Sequence, residues 1–277
     1  MKKKIVWGEK RYYTDYKDNS FMKTIVFREK KIKNNYKYVP SAIVRFFQNL
    51  FYYLIAIPIL WIILKAKQGV KVYGRKNIRK LKGGAILIGN HTHAMDGCFA
   101  SVMVAFPKRN YIITKKDAVE VVFAKYFTKG LGALPLPDEP KGLANLSSAI
   151  DFYVKHGKTV TIFPEACVWP YYNKLRPLAP ANFHYAVKSN VPVVPFCITY
   201  RYAKGKNYLS KKPKVNITIL EPIYPDVSLS PADAKAKLAA QTEEAMRKVI
   251  DSEENVAFYE YIKRDEKMNE TSQEGEN

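Results

Sequence analysis

From Val70 onward the sequence alternates short apolar runs with longer helix-forming stretches, and this alternation constrains the fold more than any other feature. Residues 85–89, 111–114, 159–163, 191–199 and 215–220 have the length and β-branched, apolar composition of strands. Between and after them, 97–106, 118–129, 143–155, 180–188 and 231–250 read as helices. The last opens with Ser230-Pro231-Ala232-Asp233, a capping-box spacing with proline at the first helical position, and keeps Leu238, Ala245 and Val249 near one face. Strands alternating with helices predict an α/β domain with a mixed, largely parallel sheet flanked by helices. No internal repeat is present.

Ahead of this domain lies an apolar segment. Residues 46–64 carry no charge, Pro58 interrupts an otherwise apolar 50–64, and Arg45 and Lys65 bracket the run. Crossing a bilayer takes about 20 apolar residues, so the run is marginal as a span. Two architectures follow: a helix broken at Pro58 that dips into one leaflet, or a buried core helix. The aromatic cluster Phe46, Phe47, Phe51, Tyr52 and Tyr53, with cations on both sides, favours the membrane interface.

The formal net charge of +21 calls for a polyanionic partner, nucleic acid or an anionic leaflet. Residues 1–40 hold twelve Lys or Arg against four Asp or Glu, interleaved with aromatics. This stretch reads as an arm that lies on headgroups, on RNA, or free in solvent. Met1-Lys2-Lys3-Lys4 is basic, but no apolar core follows it, so no secretory signal is expected. Cys98, Cys167 and Cys197 have no metal spacing and fit a reduced, cytosolic setting. The organisation predicted is a basic aromatic arm (1–40), a membrane-associating helical segment (41–68), an α/β domain (69–263) and a flexible acidic tail (264–277).

The chemistry concentrates where strand 85–89 ends. Asn90-His91-Thr92-His93-Ala94-Met95-Asp96 leads into the next helix. On an unbroken helix a spacing of five places two side chains about 140° apart, so His91 and Asp96 meet only across a turn. A strand-to-helix junction supplies one. Asp96 then orients one imidazole nitrogen and leaves the other as a base. Phe163-Pro164-Glu165 ends a second strand and Lys115-Lys116 follows a third, so a base, carboxylates and cations gather at one sheet edge.

These blocks resemble the glycerolipid acyltransferase family, the lysophosphatidate acyltransferase or PlsC-like group. Asn90 to Asp96 matches its Asn-His-x-x-x-x-Asp signature, and Phe163-Pro164-Glu165 its Phe-Pro-Glu-Gly block, with Ala166 in place of glycine. Lys115-Lys116-Asp117, Gly130-Leu131-Gly132-Ala133-Leu134 and Val191-Pro192-Val193-Val194-Pro195 resemble its remaining blocks, over roughly residues 40–250. The stretch from Pro164 to Arg176 is similar to a branch from low-GC Gram-positive bacteria.

The resemblance implies an enzyme that moves a fatty acyl group from acyl-CoA or acyl carrier protein to a lysophospholipid hydroxyl, with 1-acylglycerol-3-phosphate as expected acceptor. A non-phosphomonoester lipid or a glycolipid is the alternative acceptor. His91 is the implied base and Asp96 its partner. Asn90, Lys115, Lys116, Glu165, Lys174 and Arg176 are the implied substrate-binding residues. The family's phosphate-linked arginines are replaced here by Val168-Trp169 and Pro135-Leu136-Pro137, which makes Lys174 and Arg176 the candidates to hold an acceptor phosphate. No cofactor is expected beyond the acyl thioester as co-substrate. Anionic membrane lipids are the expected partner, at the cytoplasmic face of the cell membrane.

Two other classes fit less well. His91-Thr92-His93 with Asp96 faintly resembles a binuclear zinc site, but only His156 and His184 remain as further imidazoles, so no metal is expected. Nucleic-acid binding rests on charge and aromatics with no recognition motif behind it.

Overall fold

The computed structural model describes residues 6–21, 32–115, 128 and 130–264. The expected helix 118–129, Lys116 and the acidic tail after Arg264 lie outside the described residues, apart from Thr128.

Among the described residues a seven-stranded sheet runs in the order β2 (Lys71–Tyr73), β8 (Lys214–Ile219), β7 (Val193–Arg201), β3 (Ala85–Gly89), β6 (Thr159–Ile162), β4 (Asn110–Thr114), β5 (Ala133–Pro135). The strands from β7 to β5 are mutually parallel; β8 is antiparallel to β7, and β2 is parallel to β8. β3 is central and buried along its whole length, which is why it reads as a continuous apolar run rather than an alternation.

Helices cover both faces. On one side α1 (Ala42–Gln68) and α3 (Asp96–Ala105) pack over Leu87, Val194, Phe196 and Ile198. On the other, α4 (Pro140–Lys155), α5 (His184–Ser189, entered through the 3-10 turn Pro180–Phe183) and α6 (Pro231–Ile250) pack over Ile86, Ile88, Val160 and Cys197. The short α2 (Arg75–Arg79) follows β2. Ser230 caps α6 by accepting the Asp233 N–H, as its sequence predicts.

α1 is not broken at Pro58. A π-helical turn, Tyr52–Ala56, precedes the proline and the helix continues to Gln68, ending at Gly69 in the left-handed region. Proline removes one ladder donor and its ring crowds the carbonyl four residues back, here Leu54; the widened turn holds that residue. The helix has two apolar faces. Tyr52, Ala56, Ile57, Leu60 and Leu64 are buried, while Phe46, Phe47, Leu54, Ile59, Trp61 and Ile62 stand exposed. It is therefore a core helix on one side and an uncovered apolar surface on the other.

The ends of the chain also depart from expectation. β1 (Glu9–Tyr13) pairs in parallel with β9 (Tyr259–Lys263), from Glu9 opposite Tyr259 to Tyr13 opposite Lys263. The expected arm 1–40 is described over residues 6–21 and 32–40 alone. Its described first part joins the domain's last strand in a second sheet, packed on the loop that follows Glu165.

Candidate active site

Three strands deliver the site. β3 ends at Gly89, where a methyl group would meet the Phe196 ring at 2.2 Å, so glycine leaves the room that this buried ring fills. The chain then turns, and Asp96 organises the turn. Its Oδ2 accepts the His91 Nδ1–H at 2.8 Å and the backbone N–H groups of Thr92 and His93 at 2.8 and 2.9 Å. A carboxylate only accepts, so His91 carries its proton on Nδ1 and presents Nε2 as a free base.

The imidazole stacks on Phe163 with centroids 4.5 Å apart. Its side chain remains 21% exposed while that of Asp96 is fully enclosed. Among the described residues no hydrogen bond engages Nε2. The pair meets as its spacing predicted.

Glu165 stands behind this pair. It is buried; Oε2 accepts the His91 backbone N–H at 2.7 Å and Arg176 Nη2–H at 2.8 Å, and Oε1 accepts the Arg176 backbone N–H at 3.1 Å. It ties the turn that carries His91 to Arg176.

Arg176 is the clearest departure from expectation. It is 1% exposed, bridged to Glu165, donates to the carbonyls of Cys167 and Tyr16, and lies 4.7 Å from the Trp169 ring centroid. Every partner is internal, so its fork faces the loop it holds rather than an acceptor phosphate. Lys174 is exposed on the α6 side of that loop, in a cavity of about 390 Å³ lined also by Tyr16, Tyr172, Arg247 and Asp251. His91, Asp96 and Glu165 are not among its walls.

Asn90 is buried as well. Its side-chain amide accepts the Ile198 N–H at 2.7 Å and donates to the Ile198 carbonyl at 2.9 Å, extending the β3–β7 ladder by one rung. It therefore positions the turn from the sheet side. Lys115 follows β4, is exposed, and lies 3.7 Å from Cys167 Sγ. Of the cations expected to bind substrate, it is the one described at the sheet edge with an open side chain.

The sequence did not reveal what supports the turn. The Trp169 N–H donates to the His91 carbonyl at 3.1 Å and the Tyr171 N–H to the Thr92 carbonyl at 2.8 Å. Tyr200 Oη donates to the Thr92 carbonyl at 2.9 Å and lies 2.8 Å from its hydroxyl. Trp169 is fully buried, stacked parallel to Tyr261 at 5.3 Å and boxed by Tyr13, Phe21 and Tyr172, with its indole N–H on the Asp18 carbonyl at 2.8 Å. Aromatics crowding 12–16, 168–172 and 259–261 were the available signal.

His93 is buried, and its Nδ1 accepts the Met95 N–H at 3.0 Å. Burial holds its imidazole below the ordinary range. It shapes the turn. Burial also lifts the Cys98 thiol to about 11 and pushes the Cys197 thiol higher still, so neither supplies a thiolate at neutral pH. Among the described residues no group of three or more His, Cys, Asp or Glu could hold a metal.

A histidine oriented by a buried carboxylate at the carboxyl edge of a parallel sheet has the geometry of a general base, and residues 69–199, the segment that holds it, match the family model described as Acyltransferase. Among solved structures, the 1-acyl-sn-glycerophosphate (LPA) acyltransferase PlsC from Thermotoga maritima shares the fold at a TM-score of 0.51. It is 20% identical, over 76% of this chain and 88% of that one. No curated protein matches the sequence.

Proposed function

We propose that the protein moves a fatty acyl group from acyl-CoA or acyl carrier protein to the hydroxyl of a lysophospholipid, with 1-acylglycerol-3-phosphate the first acceptor to test. The observation that carries this reading is the 2.8 Å His91–Asp96 bond with Nε2 left open at the sheet edge.

A thioester already has a good leaving group, whereas an alcohol is almost un-ionised at neutral pH. His91 Nε2 takes the hydroxyl proton as the oxygen attacks the thioester carbonyl, a contribution of about 10²–10⁴-fold. Asp96 steadies the imidazolium so formed. The tetrahedral intermediate collapses, the C–S bond breaks, and the thiolate leaves and takes the proton. The Asp96 N–H donates to the His93 carbonyl at 3.0 Å, so the N–H groups that follow it at the start of α3 are the ones that would steady the oxyanion. No enzyme-bound acyl group is required.

The exposed face of α1 would seat the enzyme on the cytoplasmic surface of the membrane, where a lysophospholipid acceptor resides. The enclosure of Arg176 favours a second acceptor class, a lipid without a phosphomonoester, because one cation expected to hold that phosphate is engaged elsewhere.

Thiol release from acyl-CoA, measured with a panel of lysolipids with and without headgroup phosphate, tests both readings. Turnover with lysophosphatidate alone supports the first, and turnover with a neutral or glycosylated acceptor the second. Absence of turnover with every acceptor, from acyl-CoA and from acyl carrier protein, removes the proposal.

A further inference from the structure

The connection between β7 and β8 carries a surface that the chemistry above does not use. β7 pairs with β3 as far as Phe196 opposite Gly89, then runs on to Arg201, about 16 Å further at about 3.3 Å per residue. The hairpin 202–213 therefore overhangs the edge that holds His91. Three hydrogen bonds tie it to the end of α1 and to the N-terminal segment: Arg201 Nη2 to the Gly69 carbonyl at 2.6 Å, Lys214 Nζ to the Lys67 carbonyl at 2.8 Å, and Trp7 Nε1 to the Lys211 carbonyl at 3.2 Å.

Its composition is one-sided. From 201 to 214 the chain holds Arg201, Lys204, Lys206, Lys211, Lys212 and Lys214, and no Asp or Glu. Lys204, Lys206, Lys211 and Lys212 are exposed, and among the described residues none of them is in an ion pair. Interleaved with them, Tyr202 and Leu209 are 50% and 52% exposed. Tyr202 rests on Trp7 at 5.2 Å and Tyr208 meets Tyr202 edge-on at 4.9 Å, so the aromatics are held in place rather than loose. Burial lowers the His93 imidazole, against the pull of Asp96, and the Lys212 charge lowers it further; that lysine is thus within electrostatic reach of the catalytic turn.

We propose that this hairpin is a second membrane contact that binds the anionic headgroup layer of a bilayer. Tyr202, Tyr208 and Leu209 enter the interface, and the lysines meet lipid phosphates. Cations without carboxylates are drawn to an anionic leaflet within a Debye length, and amphipathic rings settle at headgroup level. RNA would satisfy the charges alone. Continuity with the exposed apolar face of α1, whose last turn carries Lys65 and Lys67, selects the bilayer. The functional consequence, that docking brings the His91 edge to a lipid hydroxyl, rests on the proposed acyl transfer; the binding itself does not.

The full chain is tested by co-sedimentation with vesicles of phosphatidylcholine, with and without phosphatidylglycerol. Each lysine near an anionic surface is worth about five-fold in partitioning. Lys204→Gln with Lys206→Gln should therefore weaken binding to the anionic vesicles about thirty-fold and leave binding to neutral vesicles unchanged. Lys237→Gln with Lys248→Gln, an equal charge change on α6, should leave both unchanged. Thiol release with a short-chain, water-soluble acceptor should be unaltered by either pair, which separates failure of docking from failure of catalysis. No loss from the hairpin pair, an equal loss from both pairs, or a loss seen with an RNA oligonucleotide but not with vesicles would each overturn the proposal.

Discussion

Ala166 and Tyr171 bracket the stretch that caps His91, and both hold positive φ, 58° and 61°. In that region a side chain costs about 1–2 kcal/mol, and such costs concentrate where a backbone must reach a particular group. Tyr171 reaches the Thr92 carbonyl in this way. Ala166 occupies the place of the glycine in the family's Phe-Pro-Glu-Gly block, and the conformation is the one that glycine favours. Ala166→Gly should raise stability by about 0.5–1 kcal/mol in urea denaturation, since relief of strain exceeds the added chain entropy. The buried Arg176–Glu165 pair predicts the opposite outcome. Arg176→Met leaves a carboxylate enclosed without its cation, at a cost of about 3–5 kcal/mol. A phosphate-binding arginine would instead leave stability unchanged and weaken acceptor binding. Burial lowers the His184 imidazole as well, so both add to the pH response, and His93 is the more enclosed of the two. Its folded value lies below the ordinary imidazole range, so the unfolded chain takes up a proton first as pH falls. Its contribution is whole at neutral pH and declines from about pH 6.5 downward, which urea midpoints at pH 7.5 and 5.5 would register as a loss at the lower value. The His–Asp pair was legible because its bonds close within one turn. Arg176 was not, because what it faces depends on a loop containing two left-handed residues that no periodicity announces.

At the scale of elements, the long or fully buried segments were legible and the short or distant ones were not. β3, β4, β6, β7, β8 and α6 fall within two residues of the runs that predicted them, since apolar length and capping chemistry act locally. β2 and β5 are three residues each, too short for an alternation to show. β1 and β9 pair across nearly the whole chain. Pro58 predicted a break that the preceding π turn absorbs. The terminal sheet predicts a kinetic effect. It encloses Trp169, whose backbone N–H holds the His91 carbonyl, so Trp169 is a positioning residue. Trp169→Ala should lower kcat about ten-fold or more with little change in KM, and Trp169→Phe should recover most of it by refilling the box. Equal loss in both variants, or a loss confined to KM, would show that the box does not act through His91.

Across the whole molecule, one sheet edge gathers His91, the loop that supports it and an overhanging basic hairpin, while α1 leaves an apolar face exposed on one flank. Net charge and the uncharged run give the expectation of a surface partner and nothing finer. They could not show that the apolar helix is also half of the core, because burial on one face and exposure on the other give the same composition. Steady-state thiol release from acyl-CoA with lysophosphatidate, compared between the native chain and His91→Ala at equal melting temperature, bears most directly on the central claim. A base at Nε2 predicts a fall of about 10²–10⁴-fold in kcat; turnover within two-fold of the native rate would contradict it.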